Sequence, residues 1–179
     1  MKNRIELAKY FADKSFNAGA EIGVFAGYYS EVLLKANPNL TLLCVDTWDH
    51  VPTNSAKVYG QAKERLRPYT STNRASMKMG TSVSVAATIG DGSLDFVFID
   101  GDHSYEFVKS DIAAWAPKVR KGGIVSGHDY YRTRAGNEGV LRAVNEYAEA
   151  NGYGLQFTWW DIDNPNEDDR QPCWWFVKK

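Results

Sequence analysis

The sequence predicts an α/β fold: a mainly parallel sheet with helices on both faces, ending in an antiparallel β-hairpin. Three observations predict it. Short apolar runs alternate with amphipathic ones along most of the chain, the mark of strand–helix units whose crossovers cover both faces of a sheet. One run, Phe96–Ile99, is aromatic and β-branched on consecutive residues, as a strand buried on both faces must be. That run stops on Asp100, Gly101, Asp102 and His103. Two carboxylates and an imidazole thus stand at the carboxyl end of a strand, where open α/β sheets bind their ligands.

The elements follow in order. Lys2–Phe16 is predicted helical, with Ile5, Ala8 and Ala12 on one face. Ala18–Val24 is the first strand, apolar except for Glu21. Gly23 and Gly27 then mark a tight turn onto a helix spanning Glu31–Ala36. Leu40–Val45 is the second strand and ends on Asp46. Asn54–Leu66 carries Val58, Ala62 and Leu66 on one stripe, and Pro68 is expected to stop it. Ser76–Met79 is a third strand, Gly80–Ser82 a turn and Ser82–Ile89 a short helix. After the central strand, Val108, Ile112, Trp115 and Val119 are spaced as one helix face, with Pro117 at its end. Lys121-Gly122-Gly123 reads as a turn before a fifth strand, Ile124–Ser126. Val140–Ala150 is the last helix, stopped by Gly152. Leu155–Trp160 and Cys173–Lys178 form the closing hairpin, whose aromatic residues are expected to alternate between core and rim.

Composition narrows the function. At 179 residues, with 44% hydrophobic and 24% charged residues, residues 1–179 read as one globular domain. A net charge of −1 gives no electrostatic case for a nucleic-acid partner, and no apolar run approaches the ~20 residues of a membrane span. Cys44 sits in an apolar run far from Cys173, so neither a disulfide nor a metal spacing is indicated. Met1–Leu7 is charged and lacks a signal core, which makes a cytoplasmic location the expectation.

The first turn discriminates among ligands. A dinucleotide fingerprint needs a glycine where this chain has Phe25, and no Gly-Lys-Ser/Thr phosphate loop occurs. Glu21, just before the turn, suits a ligand that carries an ammonium group and would repel a phosphate. Asp46 lies at the offset where an acid meets ribose hydroxyls in nucleotide-binding sheets.

With these residues in view, the chain resembles class I S-adenosylmethionine-dependent methyltransferases. Glu21–Gly27 is similar to their first motif. Leu94–Tyr105, Lys121–Gly123 and Gly127–Asp129 resemble the small bacterial and phage branch related to catechol-type and macrolide-sugar O-methyltransferases. The resemblance implies a Rossmann-like sheet and a cofactor site. Glu21, Gly23, Phe25 and Gly27 would surround the methionine half of the cofactor. Ser30 would reach its carboxylate, or else cap the helix. Asp46 would take the ribose, Thr47 and Trp48 would flank the adenosine, and Ser82 would lie near the adenine; packing is the other reading of Trp48.

Asp100 and Asp129 end strands that this fold places side by side, about 4.8 Å apart. Two carboxylates at that range need a proton, a cation or an arginine between them. In catechol-type relatives the matching acids hold a divalent ion, and magnesium is the cation expected here. That family has an Asp-Asn pair where this chain has His128-Asp129, so the third ligand is open, with Asp102 a spare; the other reading is that the acids cap loops. In macrolide-sugar relatives a histidine at the position of His103 is the general base; here it would act beside Asp100, or else cap the helix near Ser104 or bond Asp102. The implied activity is O-methylation of a small hydroxylated acceptor, such as a sugar or phenol, with N-methylation an open variant. The acceptor pocket is expected from Asp102–Tyr105, Tyr130–Asn137 and the segment after Trp48. His50 has no assigned role. A nicotinamide-dependent oxidoreductase, disfavoured by Phe25, and a non-catalytic module of the same fold are the rival readings.

Overall fold

The computed structural model describes residues 1–49, 54–133 and 136–179. His50 and Arg134 lie outside them, as does most of the segment after Trp48. Among the described residues, seven strands form one sheet in the order β3-β2-β1-β4-β5-β7-β6. The strands are β1 (Ala18–Ile22), β2 (Thr41–Asp46), β3 (Ala75–Met79), β4 (Leu94–Ile99), β5 (Val119–Gly127), β6 (Gln156–Phe157) and β7 (Trp174–Val177). The first five are parallel, and β7 runs antiparallel to both β5 and β6. The helices are α1 (Arg4–Asp13), α2 (Tyr28–Ala36), α3 (Ser55–Thr70), α4 (Ser82–Ala86), α5 (Tyr105–Trp115) and α6 (Gly139–Ala150). None is long and apolar enough to cross a membrane among the described residues.

The central strand shows why the sequence reads as it does. Phe96 and Phe98 of β4 pack into a layer with Leu7, Phe11 and Leu33 from α1 and α2. Val97 and Ile99 pack into the opposite layer with Ile112 and Trp115 of α5 and Val144 of α6. Alternate residues thus serve opposite cores, and every position from Phe96 to Ile99 must be apolar. The switch in strand order falls between β1 and β4, with β2 and β3 to one side and β5 to the other. A crevice opens there at the carboxyl edge.

Three expectations need correction. Helix α3 runs through Pro68 to Thr70. The proline sits in the last turn, where the carbonyl it leaves without an N–H belongs to exposed Glu64. Its own carbonyl accepts the hydroxyls of Ser71 and Thr72 at 3.2 Å. Lys121–Gly123 is part of β5, with Gly122 at φ +76° in an irregularity of the β4–β5 register. The chain end holds it there, since Gly122 donates to the Lys178 carbonyl at 2.8 Å and Lys178 donates to Gly123 at 2.9 Å. The hairpin is much shorter on its first side, and its aromatics do not alternate. β7 is covered on both faces, with Trp174 and Phe176 in one core layer and Trp175 in the other, so all three are buried, whereas Trp159 and Trp160 lie outside the ladder and are exposed. Smaller differences are end effects: α1 is shorter than Lys2–Phe16, α4 stops at Ala86, and α2 begins at Tyr28.

Candidate active site

Two cavities open at the carboxyl edge. The larger, of about 750 Å³, includes Asp46, Thr47, Ser82, Phe107 and Asp111 in its wall. The second, of about 520 Å³, lies toward α1 and is lined by Arg4, Glu21, Tyr28, Asp129, Tyr131 and Gln171. Gly23, Phe25, Asp100, Gly101 and His103 line both.

The first turn is built by close approach. Gly23 has φ +89°, and a Cβ there would lie 2.0 Å from the carbonyl oxygen of Asp100. Only glycine lets the chain leave β1 across the end of β4. Gly23→Ala is therefore expected to cost about 1–3 kcal/mol from overpacking alone, seen as a lower urea midpoint at unchanged slope. Asp46 holds the next residues. Its Oδ2 accepts the Phe25 N–H at 2.8 Å and its Oδ1 the Trp48 N–H at 2.7 Å. Trp48 turns inward, buried against Tyr59, and donates its ring N–H to the Phe25 carbonyl at 2.9 Å. It packs and does not line the larger cavity, whereas Thr47 does, with its hydroxyl bonded to Asp49. Phe25 itself is 52% exposed between the cavities.

Gly27, at φ +78°, starts α2 and faces Ala62 and Leu66 of α3; it lines neither cavity. Ser30 is buried, and its hydroxyl bonds Glu21 instead of capping α2. Glu21 is fully enclosed. Burial pushes its carboxyl up to about 8, with the Ser30 bond opposing the rise and the nearby Asp100 adding to it. Ser82 accepts the Trp115 ring N–H at 2.8 Å in the wall of the larger cavity.

Asp100 and Asp129 meet at the ends of β4 and β5, joined by two imidazoles. His103 Nε2 lies 3.1 Å from Asp129 Oδ2 and 3.8 Å from Asp100 Oδ1. His128 Nδ1 lies 3.3 Å and 3.8 Å from the same two oxygens. His103 is half exposed, and Asp100 and Asp129 raise its pKa above the ordinary histidine value. Asp102 accepts the Ser104 N–H at 2.7 Å and so holds the entry to α5.

Sequence reasoning missed Arg4. This guanidinium, buried in the first turn of α1, lies 3.2 Å from Asp100 Oδ2 and 2.5 Å from Asp169 Oδ1. Burial opposes its charge, and the two carboxylates outweigh that burial and raise its pKa. Asp100 shows the converse: burial would raise it, but His128, His103 and Arg4 hold it below the usual carboxylate range. Helix α1, the central strand and the acidic C-terminal loop are thereby pinned to one point. Nothing in the local sequence marks Arg4 as buried, because its partners lie 96 and 165 residues away.

The donor set admits a cation. Asp100, His103 and Asp129 each offer a ligand atom within 4.8 Å of the others. Arg4 occupies Oδ2 of Asp100 and leaves Oδ1 facing the pair. Two carboxylate oxygens with waters suit magnesium, and an added imidazole suits manganese, iron or zinc. His128 fits poorly as a ligand. Its Nε2 is buried without a partner among the described residues, whereas a ligating histidine donates its second N–H to an acceptor.

Residues 20–130 match a family described as "Methyltransferase domain". The chain belongs to this methyltransferase-domain family. Its fold is the Rossmann-like one of class I S-adenosylmethionine-dependent methyltransferases, and solved structures share it. One is a Clostridium thermocellum protein assigned as an rRNA methylase, 16% identical, with a TM-score of 0.72 over 100% of this chain and 98% of that one. Another is an O-methyltransferase from Bacillus cereus in complex with SAH (S-adenosylhomocysteine). It is 14% identical, with a TM-score of 0.69 over 98% of this chain and 80% of that one. Among curated proteins, the uncharacterised protein y4gI of Sinorhizobium fredii is 31% identical over 116 residues. That match takes in 61% of this methyltransferase-family chain and only 12% of the relative.

Proposed function

We propose that this chain moves the methyl group of S-adenosylmethionine to a hydroxyl of a small acceptor, a sugar or a phenol, with His103 as general base. The observation that supports this most is the wall common to the two cavities. Methyl transfer needs a donor and an acceptor on opposite sides of one reacting carbon, and His103 stands where the cavities meet.

In this reading the larger cavity takes the cofactor. Its methionine end crosses the common wall at Gly23 and Phe25 to meet Glu21 on the side of the second cavity, with Gly27 and Ser30 shaping the turn. Asp46 takes the ribose, and Thr47 and Ser82 flank the adenosine, with Trp48 acting from behind through Asp46 and Phe25. The second cavity takes the acceptor among Tyr28, Tyr131, Gln171 and Arg4. The acceptor oxygen attacks the methyl carbon as the C–S bond breaks, and the bonding pair stays on sulfur. The hydroxyl proton passes to His103, whose ring Asp129 orients through Nε2.

Asp100 and Asp129 would hold a divalent cation, magnesium in the first instance, that acidifies the acceptor hydroxyl when bound. The chain works on small molecules in this reading, with neither nucleic acid nor membrane as partner, and residues 1–179 act as one domain. Its two free, buried thiols, Cys44 and Cys173, suit the reducing cytoplasm.

A product assay tests the reading. The chain is incubated with S-adenosylmethionine and a panel of sugars and phenols, with magnesium or with EDTA, and the methylated atom is identified. Methyl on oxygen, at least tenfold less of it in EDTA and recovery with magnesium are expected. Equal product in EDTA removes the cation, and methyl on nitrogen removes the O-methyltransferase assignment.

A further inference from the structure

Three buried side-chain nitrogens lack a hydrogen-bond partner among the described residues, and two of them belong to residues that line one small space. They are His128 Nε2 and Trp174 Nε1. The space measures about 10 Å³ and lies between the Asp100–Asp129 edge and the core layer of Ile99, Val108 and Val140. Trp174 is 1% exposed and His128 6% exposed, so bulk solvent serves neither atom. The third nitrogen, Arg74 Nε, belongs to a guanidinium that bonds the Leu34 and Asn37 carbonyls and lines none of this space.

The two atoms complement each other. An indole N–H can only donate. His128 turns Nδ1 toward Asp129 Oδ2, at 3.3 Å, so the ring proton belongs on Nδ1 and Nε2 keeps a lone pair that can only accept. Leaving a buried donor or acceptor unpaired is costly, and the two are not bonded to each other. A buried water needs a polar site with roughly 10–15 Å³ of free volume and two to four partners. This space meets both conditions. Trp174 offers a donor and His128 an acceptor, and Gly101, which has only backbone, brings a peptide group to the same wall.

We propose that one water molecule is bound here, accepting from the Trp174 indole N–H and donating to His128 Nε2. Through it β7 sets the ring of His128, which in turn holds Asp129 at the end of β5. Trp174 is then a positioning residue for the acidic edge. His128, with its proton held on Nδ1, has no lone pair there with which to join Asp100, His103 and Asp129 around a cation. The inference concerns this chain alone and holds whichever cofactor or acceptor it takes.

The test is NMR of the full chain, ¹⁵N-labelled, at pH 8. The Trp174 indole N–H, assigned through its contacts with Gly127, is expected to show cross-relaxation with a long-lived water. His128 Nδ1 is expected to resonate as a protonated nitrogen, and Nε2 as an unprotonated one that accepts a hydrogen bond. Trp174→Phe keeps a buried ring and removes the donor. It is expected to move the Nε2 signal to that of a bare lone pair. A merely structural Trp174 would leave that signal in place. No water at the Trp174 indole, a direct coupling from Trp174 to His128, or a proton on Nε2 would overturn the inference, as would a folded Trp174→Phe with the Nε2 signal unchanged. The first two readings use the wild type, so they decide the matter even where the variant does not fold.

Discussion

His103→Ala is expected to lower turnover by about 10²–10⁴-fold, the usual worth of a positioned general base, with SAH affinity unchanged. The side chain is half exposed, so its removal leaves no buried hole. Its contacts are to Asp129 and Asp100, neither of which loses its remaining partners: Arg4 stays on Asp100 and His128 on Asp129. Single-turnover kinetics with saturating cofactor separate the cases. A slow chemical step with normal cofactor binding supports the base. Full activity removes His103 from the mechanism, and a loss shared equally by SAH binding means that the residue shapes the site.

Glu21→Gln should have opposite effects on stability and on binding. A carboxyl titrating near 4.5 when unfolded and near 8 when enclosed binds more protons in the native state across that interval. Stability therefore falls as pH rises from about 4.5 to about 8, by up to ~1.4 kcal/mol for each pH unit crossed. Below 4.5 both states are protonated and the penalty vanishes. The amide keeps a partner for Ser30 and cannot ionise. The variant is thus expected to match the wild type near pH 4.5 and to exceed its stability by several kcal/mol at pH 8, read from urea midpoints without ligand. In the same variant SAH affinity at pH 8 is expected to fall ~10–100-fold, the value of a charged hydrogen bond to the ligand ammonium. If stability at pH 8 is unchanged, Glu21 does not titrate as its burial requires. If affinity is unchanged, its charge is not what the methionine end meets.

The parts of the fold that were legible share a physical cause. The run Phe96–Ile99 of β4 is legible because burial on both faces leaves it no polar position, and α5 because a single buried stripe leaves a 4-3-4 spacing. The misreadings arose where distant chain decides the local state. Lys121–Gly123 looks like a turn and is strand because the chain end at Lys178 supplies its hydrogen bonds. Pro68 looks like a stop, yet the carbonyl it frees belongs to exposed Glu64. The site divides the same way. Asp46, Asp100, His103 and Asp129 stand at strand ends and could be found from strand ends alone. Arg4 and Asp111 sit within helices, and only the tertiary structure shows that the first lies between two distant carboxylates and the second against Ser82. Trp48 shows the limit of motif position, since one residue separates the side chain that lines the cleft, Thr47, from the one that enters the core.

The proposed chemistry depends on the larger cavity taking S-adenosylmethionine. Isothermal titration of the full chain with SAH, run beside NAD⁺, asks this directly. One SAH per chain and no heat with NAD⁺ is the predicted result. In thermal unfolding, SAH at 100 times its dissociation constant would then add about 2.7 kcal/mol of apparent stability. Binding of NAD⁺ with none of SAH would contradict the account and return the chain to the oxidoreductase reading. Binding of neither would leave the fold of a methyltransferase without its cofactor.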